Sequence, residues 1–184
     1  EIERSAIAPH GPEGHLYPGT CRNLTQDQQE EKISKGLPYA FRLDMDKAIS
    51  MLKDKELKNK GQWPLIWFDQ GKGDQTATPE ILGDVVLARK DINTSYHLSV
   101  TLDDHWQGVT LITRGMDLFY ATHLHRLLQT LLDLDVPQWH HHDLLLDEEG
   151  KRFAKRHHSV TLQDLRENQN KTPQDVMDII GIHI

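Results

Sequence analysis

Residues 109–146 constrain this chain more than any other stretch. Val109, Leu111 and Ile112 form a short apolar run stopped by Arg114-Gly115, as expected of a buried strand. Residues 117–134 then place apolar side chains at 118, 121, 124, 127, 128, 131 and 132. That three-to-four spacing puts them on one face of a helix, and Pro137 stops it. The segment HHDLLLD, 141–147, reads as a second short strand. Strand, long helix, strand is the signature of a βαβ unit, so the chain is expected to be α/β with a parallel sheet. Ligands of such sheets bind at the carboxyl ends of the strands. Arg114 stands at that end of the first strand, and Lys155 lies a few residues beyond the second. Two cations at one edge predict an anion site. The plainer alternative makes Arg114 a strand-ending surface residue.

The flanking segments are shorter. Residues 1–25 read as loop, with three Pro and three Gly between Pro9 and Gly19. Residues 26–35 are polar and helix-permissive, and Gly36 closes them. PYAFRLDM, 38–45, alternates Tyr39, Phe41, Leu43 and Met45, a half-buried strand pattern. Residues 46–60 read as a charged helix ended by Gly61. WPLIWFD, 63–69, is a compact strand before a GKGD turn, with Trp63 and Trp67 expected in the core. GDVVLARKD, 83–91, is another strand. Residues 95–106 fit two readings. Tyr96, Leu98, Val100 and Leu102 alternate as in a strand, while Ser95 would also cap a helix. Thr161 and Thr172 each open a short C-terminal helix, the second with Pro173 at its first position.

Charge frames the function. The chain carries net charge -7, which argues against indiscriminate nucleic-acid binding but leaves room for a local basic track. GKRFAKRHH, 150–158, is that track, with Lys151, Arg152, Lys155 and Arg156. A solvated loop and a loop that meets phosphate both fit it. The single cysteine, Cys21, excludes an internal disulfide framework and fits a reducing compartment. No apolar run approaches the roughly 18–20 residues needed to span a bilayer, and no signal-peptide pattern opens the chain. The expectation is a cytoplasmic monomer with no membrane partner. There are 12 histidines, including His140-His141-His142 and His157-His158. Adjacent histidines on a strand point to opposite faces, and His123 and His125 do not share a helix face. A histidine metal site is therefore the weaker reading.

Read together, GDVVLARKD (83–91), SYHLSVTLDDHWQGVTLITRGMDL (95–118) and GKRFAKR (150–156) resemble the glutamyl branch of class I aminoacyl-tRNA synthetases. YPGTCR, 17–22, is similar to a short paralogue within that branch that lacks an anticodon-binding domain. The resemblance implies the second half of a Rossmann-type catalytic domain over 83–156. It also implies an inserted α+β zinc- and acceptor-binding region over 1–82 and a helical segment over 157–184. The implied activity uses ATP with Mg to activate glutamate, which passes to the queuosine base of tRNA(Asp).

Carried over residue by residue, the resemblance implies that Tyr96 and Arg114 contact the glutamate. A guanidinium holds a carboxylate through two parallel hydrogen bonds, and a phenol can orient the amino-acid head group. Arg152, Phe153, Ala154, Lys155 and Arg156 occupy the ATP-binding signature usually written KMSKS. Lys155 is its catalytic, ATP-contacting lysine, while Arg152 and Ala154 depart from the pattern. Tyr17 and Cys21 match the last two ligands of a family zinc site whose first two cysteines are absent. Nothing in residues 1–30 matches the HIGH-type motif of class I enzymes, and the chain opens on Glu-Ile-Glu-Arg without Met. The isolated chain is therefore expected to be a partial molecule without turnover. The competing readings are a truncated glutamyl-tRNA synthetase and a non-catalytic RNA-binding module using Lys151–Arg156.

Overall fold

A computed structural model describes residues 10–12, 14–53, 63–146, 150 and 160–181. They belong to two units, 1–142 and 143–184, each taken by itself. The first unit opens with a two-residue hairpin, β1 (His10–Gly11) and β2 (Gly14–His15). Helix α1 (Gln26–Ser34) begins where Thr25 and Gln28 exchange side-chain and backbone hydrogen bonds, and it buries none of its residues. Gly36 follows at φ +73°, a left-handed turn suited to glycine.

The strand expected over 38–45 is only β3 (Ala40–Arg42). Met45 is not its last residue but the first of helix α2 (Met45–Lys53), where it is buried with Ala48, Ile49 and Leu52. The reason is local: Asp44 Oδ1 accepts the Lys47 amide at 3.0 Å and starts the helix. Strands β4 (Ile66–Asp69) and β5 (Gly73–Thr76) then form an antiparallel hairpin. A 3-10 turn over Pro79–Leu82 leads to β6 (Val86–Arg89), which pairs antiparallel with β3.

Residues 95–106 fold as a helix, α3 (Tyr96–Trp106), and Ser95 Oγ accepts the Leu98 amide at its start. The βαβ unit follows as β7 (Leu111–Gly115), α4 (Phe119–Leu132) and β8 (Gln138–His142), with β7 and β8 parallel over five residue pairs. The strand expected over 141–147 thus starts earlier and leaves the leucines at 144–146 outside it. The inward side chains of β8 are Trp139 and His141, so its buried pattern is one aromatic and one polar residue, and the leucines that suggested the strand lie past its end.

The sheet order is β5-β4-β8-β7. It therefore joins strands from both sides of residue 82, the boundary expected from the resemblance. Among the described residues β7 lies at an edge, and its buried side chain is Arg114 rather than the apolar run before it. The core gathers Leu124, Leu127 and Leu128 of α4 against Trp67, Trp139 and Leu65, with the apolar face of α2 on the same cluster. Burying each such side chain contributes roughly 1.5–3 kcal/mol. The Trp67 and Trp139 rings meet at 5.4 Å and 74°, edge to face. Trp63 is half-buried against this cluster.

On α4 the buried arc is wider than the apolar stripe. Thr122, His123, His125, Gln129 and Thr130 are buried too. Each polar side chain placed there needs a partner, and three of those partners build the sites described next.

In the second unit, α5 (Leu162–Glu167) is capped by Thr161 and α6 (Pro173–Ile179) by a Thr172–Asp175 box. Both match the expected short helices.

Candidate active site

Arg114 is 7 % exposed, and its Nη1 donates to His125 Nδ1 at 3.2 Å. Nη2 is buried without a hydrogen-bond partner among the described residues. Burial pushes the guanidinium pKa down, against the upward pull of Tyr96 and Asp104. A buried cation with an unused N–H is costly unless an anion joins it.

Tyr96, the first residue of α3, has its ring 5.9 Å from His125 and 5.5 Å from His97. Half of it is exposed, and with His97 it lines a cleft of about 570 Å³. Tyr17, Arg42 and Asp84 belong to its wall as well. Asp84 anchors that wall: one carboxylate oxygen pairs with Arg22, the other accepts the Met45 amide, and its carbonyl accepts from Arg42. Tyr96 and Arg114 thus both meet His125, the first through a ring contact and the second through a hydrogen bond.

A second polar cluster lies deeper, and sequence reading missed it entirely. Asp69, at the end of β4, is fully buried. Its Oδ2 accepts His141 Nδ1–H at 2.6 Å and the His141 amide at 3.2 Å, while Oδ1 accepts the Gly71 amide at 2.9 Å. His141 Nε2 faces Thr122 Oγ1 at 3.1 Å. Burial raises the Asp69 pKa, but the bonds from His141 and Gly71 outweigh it and hold the carboxyl below its ordinary value. The order carboxylate, imidazole, hydroxyl is that of a nucleophile triad. Here Thr122 is fully buried, so the set is sealed and ties β4, β8 and α4 together. The available signal was that Thr122, His123 and His125 fall among the apolar positions of α4, which marks a wider buried arc.

Burial lowers the pKa of His97, His123 and His141 and lowers that of His125 strongly. The folded chain therefore holds these rings neutral, whereas an unfolded histidine takes a proton near pH 6.5. Their stabilisation is complete above that value and is lost as pH falls through the depressed folded pKa values. Asp104, whose pKa burial raises, works in the opposite sense. It is one group against four. The urea midpoint is expected to drop between pH 7 and pH 5, before most carboxylates titrate. A flat profile over that window would contradict the neutral-histidine picture.

The remaining candidates divide. Arg152, Phe153, Ala154, Lys155 and Arg156 lie outside the described residues. Tyr17 and Cys21 do meet, but the Tyr17 hydroxyl accepts the Cys21 amide at 2.8 Å, and the Arg42 guanidinium sits 4.2 Å above the Tyr17 ring. No group of three or more His, Cys, Asp or Glu side chains is placed to hold a metal ion among the described residues. Two donors beside a guanidinium do not fit zinc, which closes a structural site with four ligands.

The family of tRNA synthetases class I (E and Q), catalytic domain, matches residues 1–182. A glutamyl-Q tRNA(Asp) synthetase of Rhodobacter capsulatus is 42% identical over 99% of this chain and 64% of its own length. One from Nocardia farcinica is 37% identical over 98% of this chain and 51% of its own. A glutamate–tRNA ligase of Coprothermobacter proteolyticus is 30% identical over 82% of this chain and 30% of its own. The chain spans about half to two thirds of the glutamyl-Q relatives it matches. Among solved structures, a glutamate-tRNA synthetase from Elizabethkingia anophelis shares the fold at TM-score 0.55 and 24% identity, over 77% of this chain and 27% of that one.

Proposed function

The chain belongs to the catalytic-domain family of class I tRNA synthetases (E and Q), and on that premise we propose that it serves the ATP-dependent activation of glutamate and its transfer to the queuosine base of tRNA(Asp). The observation that carries this reading is Arg114. Its guanidinium is buried beside Tyr96, held on one nitrogen, with Nη2 left for an incoming anion. A carboxylate of glutamate is the partner such a group accepts best. Tyr96, half-exposed on the cleft, offers its hydroxyl to the amino-acid head group.

In the proposed reaction a glutamate carboxylate oxygen attacks the α-phosphorus of ATP. Its new bond to phosphorus forms as pyrophosphate leaves with the electron pair of the broken P–O bond. Lys155, within the basic segment 150–156, is assigned to the negative charge that grows on the departing phosphates. Magnesium, when bound with ATP, would screen the same charge. No residue is assigned to it. The cytoplasm, where tRNA is charged and modified, is the proposed location.

The choice of tRNA(Asp) over tRNA(Glu) rests on the relatives' names, since the glutamyl-Q proteins stand at 37–42% identity and the glutamate–tRNA ligases at 26–30%. Two measurements test the reading. L-Glutamate should raise the melting temperature of this chain by mass action. In the intact enzyme, Lys155→Ala should reduce glutamate-dependent ATP–pyrophosphate exchange by about an order of magnitude or more. Transfer of radiolabelled glutamate to tRNA(Glu) in preference to queuosine-bearing tRNA(Asp) would favour the ligase alternative. RNA binding that falls steeply with salt and ignores glutamate would favour an RNA-binding module.

A further inference from the structure

Nothing in the proposed chemistry calls for His97 or His125, yet both are built onto Arg114. A guanidinium has only donors. Its bond to His125 Nδ1 therefore requires a lone pair on that nitrogen. A neutral imidazole with Nδ1 free carries its proton on Nε2. His125 Nε2 lies 3.1 Å from His97 Nδ1, which must then accept, placing the His97 proton on Nε2 as well. One bond thus determines the protonation of two rings in sequence. The chain starts at a buried cation and ends at His97, a residue lining the cleft.

We propose that His125, backed by His97, is the positioning residue for Arg114: the pair holds one nitrogen of the guanidinium and leaves its charge and its second nitrogen for the substrate carboxylate. The proposal rests on the glutamate reading above and deepens it. Its physical content is the choice of a neutral acceptor. A carboxylate in place of His125 would hold Arg114 as firmly but would neutralise it and compete with the ligand. An apolar side chain would leave the guanidinium free to swing.

Among the described residues, the titratable groups coupled to the pair or to Arg114 come from three elements besides α4. They are Tyr96 and Asp104 on α3, Arg114 on β7, and His141 on β8, which is already engaged with Asp69. Burial and the Arg114 charge both disfavour protonation of His97 and His125.

The test uses the 184-residue chain and two substitutions. His125→Gln keeps an acceptor for Arg114 and a donor for His97, while His125→Leu keeps volume and offers neither. Long-range 15N–1H spectra of the wild type should show both rings as the neutral Nε2–H tautomer at pH 7. By calorimetry with L-glutamate, His125→Leu should bind about tenfold more weakly or worse, and His125→Gln within about threefold of wild type. A purely structural role predicts that the two variants lose glutamate affinity only in proportion to lost melting temperature. That pattern overturns the proposal, as does an Nδ1–H or doubly protonated His125 at pH 7. Arg114→Ala separates the proposal from its premise. If wild type binds no glutamate, the functional reading fails, but a shift of the His125 ring nitrogens in Arg114→Ala still supports the link. Unshifted nitrogens overturn it.

Discussion

Arg114→Ala is expected to weaken glutamate binding by about 100-fold or more while costing the fold little. Truncating one member of a buried, hydrogen-bonded charge pair typically loses about 2–5 kcal/mol of binding, and 100-fold corresponds to about 2.7 kcal/mol. The stability side differs. Without ligand, Arg114 is a buried cation with an unpartnered Nη2, so its removal relieves a desolvation cost and sacrifices one bond to His125. Arg114→Leu should therefore melt within a few degrees of wild type and bind no measurable glutamate. Arg114→Lys should also fail, because a single ammonium lacks the planar fork that serves His125 and a carboxylate together. Calorimetry beside thermal melts reads both quantities. Wild-type affinity in the alanine variant would remove Arg114 from the glutamate site.

Asp69→Ala has the reverse profile, with a large loss of stability and no direct contact to the cleft. Its carboxylate accepts from His141 Nδ1, the His141 amide and the Gly71 amide. Alanine leaves the two buried His141 donors unpaired, each costing about 1–3 kcal/mol, while the amide of exposed Gly71 can turn to water. Relaxation and water entry trim the sum, so about 3–5 kcal/mol is expected, as for breaking other buried pairs. For a chain of this size that lowers the melting temperature by about 10 °C. Asp69→Asn should fall between, since it keeps an acceptor but turns an N–H₂ toward another donor. Because the folded Asp69 pKa is depressed, its contribution is present above the unfolded carboxylate range and is lost as pH falls through the folded value. Urea titrations of the two variants against wild type at neutral pH measure the effect. An alanine variant as stable as wild type would mean the cluster is slack.

The parts legible in the sequence are those whose signals are local. The β7–α4–β8 unit follows from one apolar run, one helical stripe and Pro137, and it stands as expected with corrected ends. Residues 95–106 had two fits because Tyr96, Leu98, Val100 and Leu102 alternate while Ser95 can cap. The hydrogen bond from the Leu98 amide to Ser95 decided for the helix. Met45 misled because it continues the alternation of Tyr39, Phe41 and Leu43, whereas the Asp44 cap turned the chain at that point. In β8 the leucines at 144–146 were the louder signal, and the inward residue was His141.

The candidate site was legible only in part, for a physical reason. Tyr96 and Arg114 came from a resemblance over 95–118, and the fold places them around one ring. His125 meets His97 across 28 residues, and Asp69 meets His141 across 72. Those bonds leave no periodic trace, because each needs one partner at one height rather than a repeated face.

Helix α4 carries two kinds of information. Leu124, Leu127 and Leu128 say only which side turns inward, and an apolar stripe is nearly unchanged when a helix slides by one turn, about 5.4 Å. Thr122, His123 and His125 each answer to a different element: His141 on β8, the Thr78 amide, and Arg114 on β7. A one-turn slide would unpair all three at once, together with their partners. The helix is keyed rather than greased in its seat, and the height at which His125 meets Arg114 is inherited from that key.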